Sequence, residues 1–340
     1  MRRNKQTIIL ALVLVILSII SVFVGVLDIN TTELLKGNQE QWNIFLASRI
    51  PRLLAVICTG VGMSIAGLIM QQLMRNKFVS PTTGTTINSA QFGILIALIF
   101  MPKSTLVGRA LFAFTFAVLG TWIYVFFIQK IQFKNVIMVP LVGIMMGNII
   151  SGTTDWLAYK YELNQAISSW TVGHFSLIIR GKYEITYLVI PLVILAYVFA
   201  NYFNVVGMGK GFSQNLGVNY NLILVLGLSL TSMITAAIIV VVGSVSYVGL
   251  IVPNIVSMFK GDKIKGTIID TSLFGAIFVL VCDMLGRIII FPYELPINLI
   301  IGVVGSITFI FLLIYRLNGG KMLKKFKITK SKLKIRKEMD

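Results

Sequence analysis

The sequence predicts an all-α polytopic membrane protein of about ten transmembrane helices, and three observations carry that expectation. Apolar residues make up 56% of the 340 and charged residues only 12%, with a mean hydropathy of +0.89. A soluble domain has about twice that charged fraction. Apolar runs bounded by charges or turn residues recur along the whole chain, most of them long enough to cross a bilayer core at ~1.5 Å per residue. The basic residues lie mainly at the ends of these runs, and ten of the 30 fall between Arg316 and Lys337. That placement, without an aromatic-interleaved basic groove, argues against nucleic acid as the partner of the +18 net charge.

Met1 to Lys5 is basic, and Thr7 to Leu27 follows without a charge. A signal peptide has a shorter apolar core and a small-residue cleavage site, so a retained first span is expected. The second apolar stretch opens with Arg49 and Arg52 around Pro51 and runs from Leu53 to Met70 uncharged. At ~1.5 Å per residue this run is roughly 27 Å long. Gly60 with Ser64, and Gly62 with Ala66, form small-xxx-small pairs that let helices approach closely in lipid. Arg75, Asn76 and Lys77 end the stretch, and a Thr-rich re-entry follows around Pro81 and Gly84.

Taken in order, the expected spans are 7–27, 51–73, 85–101, 106–128, 136–158, 185–203, 221–242, 247–259, 267–290 and 298–315. They form one permeation-sized membrane domain, 1–318, with a basic tail, 319–340. The third and eighth are short, and the eighth reads as a half-helix buried among its neighbours. An even number of spans puts both termini on one side. With the N-terminus inside, the inner segments hold 21 Lys/Arg and the outer segments nine, so both termini are expected in the cytoplasm of a plasma-membrane protein.

Arg49, Arg52 and Arg287 then lie outside, against the positive-inside trend. Either they snorkel to lipid headgroups or they form an outward basic rim for an acidic partner. Within the membrane, charges are read at Asp155 and Asp283. Asp283 lies one turn from Arg287, which predicts an intrahelical pair, and Asp155 sits near the outer interface. Cys58 and Cys282 fall inside apolar runs and read as small packing residues. His174 is the only histidine, too little for a metal site, and no carboxylate, Cys or His cluster points to catalysis.

Two inner loops interrupt the apolar runs. Asn204 to Asn221 is long enough for two short helices with a turn at Gly217, and Met208, Phe212 and Leu216 mark it as a docking knob. Gly243 to Gly266 begins with a Gly-Ser turn outside and returns through Pro253.

Five segments, in order along most of the chain, together resemble the FecCD-type permeases of ABC importers for iron-siderophores, haem and cobalamin. These are RIPRLLA, GLIMQQLMRNKFVSP, GMGKGFSQNLGV, GSVSYVGLIVPNI and CDMLGRIIIFPYELPIN. The resemblance implies a type II ABC importer permease with a pseudo-symmetric ten-span core. It implies a second permease, the same chain or a paralogue, a pair of ABC ATPase subunits, and an extracytoplasmic siderophore-binding protein. An iron-siderophore complex would be the substrate, membrane lipids the surroundings, and ATP would bind only to the partner ATPase. Matching positions assign docking of the binding protein to Arg49, Arg52 and Arg287. They assign ATPase coupling to Gly209, Lys210, Phe212, Leu216, Gly217 and Val218, and the gates to Asn76, Thr83, Thr86, Asn148, Ser151 and Thr153. Ser64, Thr83, Thr86 and Asn148 are expected to line the substrate cavity.

Lys210 stands where that family usually has Glu, Lys77 where it has Pro, Asn254 where it has His, Ser257 where it has Arg, and Asn298 where it has Gly. The Thr-rich stretch from Val79 to Asn88 resembles the branch that serves catecholate siderophores. No G-x-x-x-x-G-K-[ST] pattern occurs, so a partner must hydrolyse ATP. The rival reading is a secondary transporter driven by protons or sodium, for which Asp155 and Asp283 would be the candidate ionisable sites. The expected protein is a non-catalytic subunit.

Overall fold

In the computed structural model, residues 2–25, 36, 38–83, 85–130, 138–261 and 263–317 are described. The basic tail, the end of the first expected span and the start of the fifth lie outside them. Among the described residues, ten helices have 13 or more residues. They are α1 (Arg2–Phe23), α3 (Ile50–Leu73), α4 (Thr86–Phe100), α5 (Leu106–Lys130), α6 (Met138–Lys160), α8 (Val189–Gly207), α10 (Tyr220–Val242), α11 (Val248–Lys260), α12 (Ile264–Ile288) and α13 (Ile297–Leu317). Three short helices, α2 (Gln39–Ile44), α7 (Asn164–Thr171) and α9 (Lys210–Asn215), join them.

Among the described residues, six helical stretches are long and apolar enough to cross a membrane, and α4, α11 and the first part of α13 are shorter apolar helices. The burial pattern is that of a protein dissolved in lipid. Ile8, Ile9, Leu12, Val15 and Ile16 of α1 are exposed, and so are Leu111, Trp122 and Phe126 of α5. With no hydrophobic drive between helices in hydrocarbon, close packing must hold the bundle. α3 supplies it. An added Cβ at Gly60 would stand 2.4 Å from the Gly275 carbonyl of α12, and one at Gly67 would stand 1.9 Å from the Gly249 carbonyl of α11. Ser64 packs between them against Gly275. Gly62, on the opposite side, meets Ile234 and Ile238 of α10. The small-residue ridges read from the sequence are therefore the contact faces of the central helix.

The packing repeats with inverted direction. α3 packs on α12 as α10 packs on α5, and α3 and α10 meet at the centre. α4 lies against α5 as α11 lies against α12. Both half-length helices begin at a non-glycine residue in the left-handed region, Thr85 at φ 64° and Tyr247 at φ 65°. At ~1.5 Å per residue, α4 and α11 are about 22 and 20 Å long, short of a ~30 Å core. Such broken elements are tolerated at membrane depth where neighbours satisfy the freed backbone groups.

The helix that carries α3 begins earlier than Pro51. Asn38 caps α2, its Oδ1 accepting from Glu40 N at 3.0 Å, and the chain passes through a π-turn, Phe45–Arg49, into α3. Pro51 has no N–H for the Ala47 carbonyl one turn back. The backbone N–H of Arg180 donates to it instead, at 3.0 Å, and so ties the 172–183 loop to this helix.

Candidate functional site

Arg49 and Arg52, expected to snorkel or to form an outward rim, lie within a continuous helical stretch, Arg49 ending the π-turn and Arg52 in the first turn of α3, and both are bonded within the protein. Arg49 is buried, and its Nη1 donates to the Val24 carbonyl at 2.8 Å. Arg52 Nη2 donates to Asp283 Oδ1 at 2.8 Å, and Nη1 lies 2.8 Å from both oxygens of Glu294. Arg287 donates to the other oxygen of Asp283, to the Ser21 carbonyl at 2.9 Å, to Ser21 Oγ at 2.8 Å and to the Val24 carbonyl at 2.7 Å. The pair Asp283–Arg287 expected from the i,i+4 spacing is present, but Asp283 serves two arginines at once.

The fold therefore brings the three arginines together from α3 and α12, at the end of the bundle where α1 finishes. Arg52 and Arg287 share Asp283, and Arg52 also pairs with Glu294. Buried charges are costly unless paired and hydrogen-bonded, and this cluster fixes how α1, α3 and α12 meet.

The opposite end carries the loop between α8 and α10. It holds one short helix, α9, and not two, because Gly217 at φ 72° and Asn219, whose Oδ1 accepts from Leu222 N, already start α10. Gly209 at φ 115° opens α9. Ser213 Oγ, fully buried, donates to the Gly209 and Val205 carbonyls and clamps the turn. Met208, Phe212 and Leu216 stand exposed on it, and Val218 is half-buried. A cleft of ≈ 400 Å³ lies alongside, lined by Lys210, Gln214, Gly217, Val218, Asn219 and Asn221. A Cβ on Gly209 would stand 3.3 Å from Arg75 Nη1, so the loop rests on the end of α3.

The expected gate residues divide into two sets. Asn76 is buried and accepts from Phe78 N at 2.9 Å; Thr83 Oγ1 accepts from Ser80 N at 2.8 Å. Thr86 is fully buried and hydrogen-bonded to Thr121, which also accepts from Ser232 Oγ at 2.9 Å. These three order the turn between α3 and α4. Thr86 and Ser64 were expected to line the cavity, but both are 0% exposed: they pack where helices come closest. Asn148 and Thr153 instead face out from α6, Ser151 is half-buried, and Asp155 is exposed on the same helix. α6 is 23 residues long and carries this polar band within it.

Sequence reasoning missed a second buried carboxylate. Asp270 of α12 is 3% exposed, accepts from Thr7 Oγ1 at 2.7 Å and pairs with Lys260 Nζ at 2.5 Å. The signal was a charge inside the expected ninth span. Also missed was how the re-entrant turn is held: Asn254 Nδ2 donates to the Lys77 carbonyl at 2.8 Å, joining two positions that depart from the family pattern. Asn298 Oδ1, another such position, accepts from Ser246 N at 3.2 Å. Cys58 and Cys282 are free thiols, both buried in the same apolar cluster.

A model of the FecCD transport family matches residues 12–315. The chain is 47% identical over 307 residues to the petrobactin import system permease protein YclN of Bacillus subtilis, covering 90% of this chain and 97% of that one. It is 36% identical to the ferric-anguibactin transport system permease protein FatD of Vibrio anguillarum, covering 88% and 95%. Among solved structures, a metal-chelate type ABC transporter in an inward-facing conformation superposes with a TM-score of 0.78 at 24% identity, over 91% of this chain and 99% of that one. That likeness shows the fold.

Proposed function

Because the chain belongs to the FecCD transport family, we propose that it is the permease subunit of an ABC importer that brings an iron-siderophore complex into the cell. The observation that carries the substrate class is the 47% identity to a petrobactin import permease over nearly the full length of both chains. In this reading the arginine cluster faces outward and the α9 loop faces the cytoplasm, with both termini inside. Thr7, near the start of α1, and Lys260, at the end of α11, both bond Asp270, which supports placing the N-terminus at the α9 end.

The geometry supports a division of labour. α9 presents two exposed apolar side chains, Phe212 and Leu216, one turn apart beside a polar cleft. An exposed apolar knob on a short, clamped helix suits a groove on a partner, here the ATPase that binds and hydrolyses ATP. Movement of that knob would reach α3 through the Gly209–Arg75 contact, and then the turn ordered by Asn76, Thr83 and Thr86. The polar band of α6, Asn148, Ser151 and Thr153, would line the path that this chain shares with a second permease. At the outer end, Arg52 would receive a carboxylate of the siderophore-binding protein, with Arg49 and Arg287 holding the cluster in place. An exposed amide such as that of Asn148 is costly in hydrocarbon, which supports giving α6 to an aqueous path.

Co-expression tests this. The chain should co-purify with a co-expressed partner ABC ATPase, and loaded binding protein should stimulate ATP hydrolysis by the assembled complex. A purified, inserted chain that recruits no ATPase would overturn the reading.

A further inference from the structure

Glu294 is the member of the arginine cluster nearest to solvent. Its side chain is 20% exposed, against 11% for Arg52 and 2% each for Asp283 and Arg287. Both of its oxygens lie on one nitrogen, Arg52 Nη1. The other bonded nitrogens of Arg52, Nε and Nη2, turn inward to Asp283 Oδ1. The outward-facing donor of Arg52 is therefore capped by a carboxylate of its own chain. Glu294 belongs to the connection between α12 and α13, where Ile289, Ile290, Phe291 and Tyr293 are all exposed. Within this connection the Leu295 N–H donates to the Gly286 carbonyl at 2.9 Å and the Tyr293 N–H to the Ile290 carbonyl at 2.8 Å.

We infer that Glu294 is a built-in competitor for docking: it occupies, on Arg52, the place that a carboxylate of the binding protein takes, and it must leave for that protein to seat. The inference rests on the docking role proposed for Arg52. A guanidinium nitrogen has two N–H groups, and Nη1 spends its outward capacity on Glu294. Exchanging one carboxylate for another keeps charge and hydrogen bonds balanced, whereas a neutral partner group would leave Arg52 under-neutralised in a poorly solvated site. Once displaced, Glu294 frees the α12–α13 connection and its exposed aromatic side chains.

This reading has a sign that other roles lack. A residue that contacts the binding protein, or that merely holds the fold, weakens docking when changed; a competitor strengthens it. The assembled complex in lipid nanodiscs is titrated with loaded binding protein at low salt. Glu294→Gln is expected to bind about two- to fivefold more tightly, as for loss of a partly exposed ion pair. Glu184→Gln removes an exposed carboxylate at the same end of the bundle and is expected to leave affinity unchanged. Glu294→Asp keeps the charge on a shorter reach and should fall between wild type and Glu294→Gln, which guards against a folding artefact. Equal or weaker binding by Glu294→Gln overturns the inference, and so does equal tightening by Glu184→Gln, which would mark a general charge effect. If wild-type complex binds no binding protein at all, the docking role of Arg52 fails, and the competitor fails with it.

Discussion

Removing Asp283 should cost far more than removing Glu294, although both pair with Arg52. Asp283 is 2% exposed at the side chain and neutralises two guanidinium groups, one of them the equally buried Arg287. Among the described residues, Asp283→Ala leaves Arg287 the Ser21 and Val24 carbonyls and the Ser21 hydroxyl as acceptors. Breaking a buried pair in this way costs about 3–5 kcal/mol. At ~1.4 kcal/mol per decade, that is about two to three and a half orders of magnitude in the folding equilibrium. Glu294→Ala breaks a pair whose carboxylate is 20% exposed, and screening holds the loss to about 1 kcal/mol or less. The assay is thermal unfolding of the detergent-purified complex, followed by loss of the monodisperse peak. A paired replacement sharpens it. Asp283→Leu with Arg287→Met exchanges the buried pair for apolar side chains of similar size and should recover most of the loss. The reasoning is refuted if Asp283→Ala unfolds no earlier than Glu294→Ala, or if the double variant is worse than Asp283→Ala alone.

Three further outcomes are expected. Gly67→Val drives a side chain into the Gly249 carbonyl and should prevent recovery of folded protein, whereas Gly152→Ala, with nothing within 4 Å, should unfold within a degree or two of wild type (~0.5 kcal/mol or less). Gly217→Val forces a β-branched residue into φ 72°, a local strain of about 1–3 kcal/mol. The open surroundings of Gly217 should spare the fold, and ATP hydrolysis by the complex should then stop responding to loaded binding protein. Asp270→Asn should lower the unfolding temperature by weakening the Lys260 and Thr7 contacts, while transport stays insensitive to a protonophore. Sensitivity appearing or disappearing there would mark Asp270 as a proton site.

The packing of α3 was legible because it depends on spacing alone. Gly60 and Ser64 lie one turn apart, and residues that small in a span imply a close neighbour wherever it comes from in the chain. Gly217 was legible for a similar reason: a polar loop returning to an apolar run needs a turn, and glycine takes positive φ cheaply. The direction of the arginines was not. It depends on the π-turn at Phe45–Arg49, on a helix that starts at Gln39 within a mixed polar and apolar stretch, and on partners 231 and 242 residues away. Local sequence states that Arg52 is charged, but not which carboxylate finds it first. Asp270 was visible as a charge in an apolar run, yet its partner Lys260 lies across the turn between α11 and α12, where only the fold sets the distance. Ser64 and Thr86 were misjudged as cavity lining because a small polar residue suits a water-filled path and a tight helix crossing equally well.

The most direct test of the transport reading is uptake by proteoliposomes that contain this chain, its second permease and its ATPase. Loaded binding protein, carrying radiolabelled iron on its siderophore, is added outside, and ATP is enclosed within. Uptake is predicted to require enclosed ATP and binding protein, to stop when the ATPase cannot hydrolyse, and to continue when a protonophore dissipates the proton gradient. Uptake that proceeds without ATP and collapses with the gradient would contradict it.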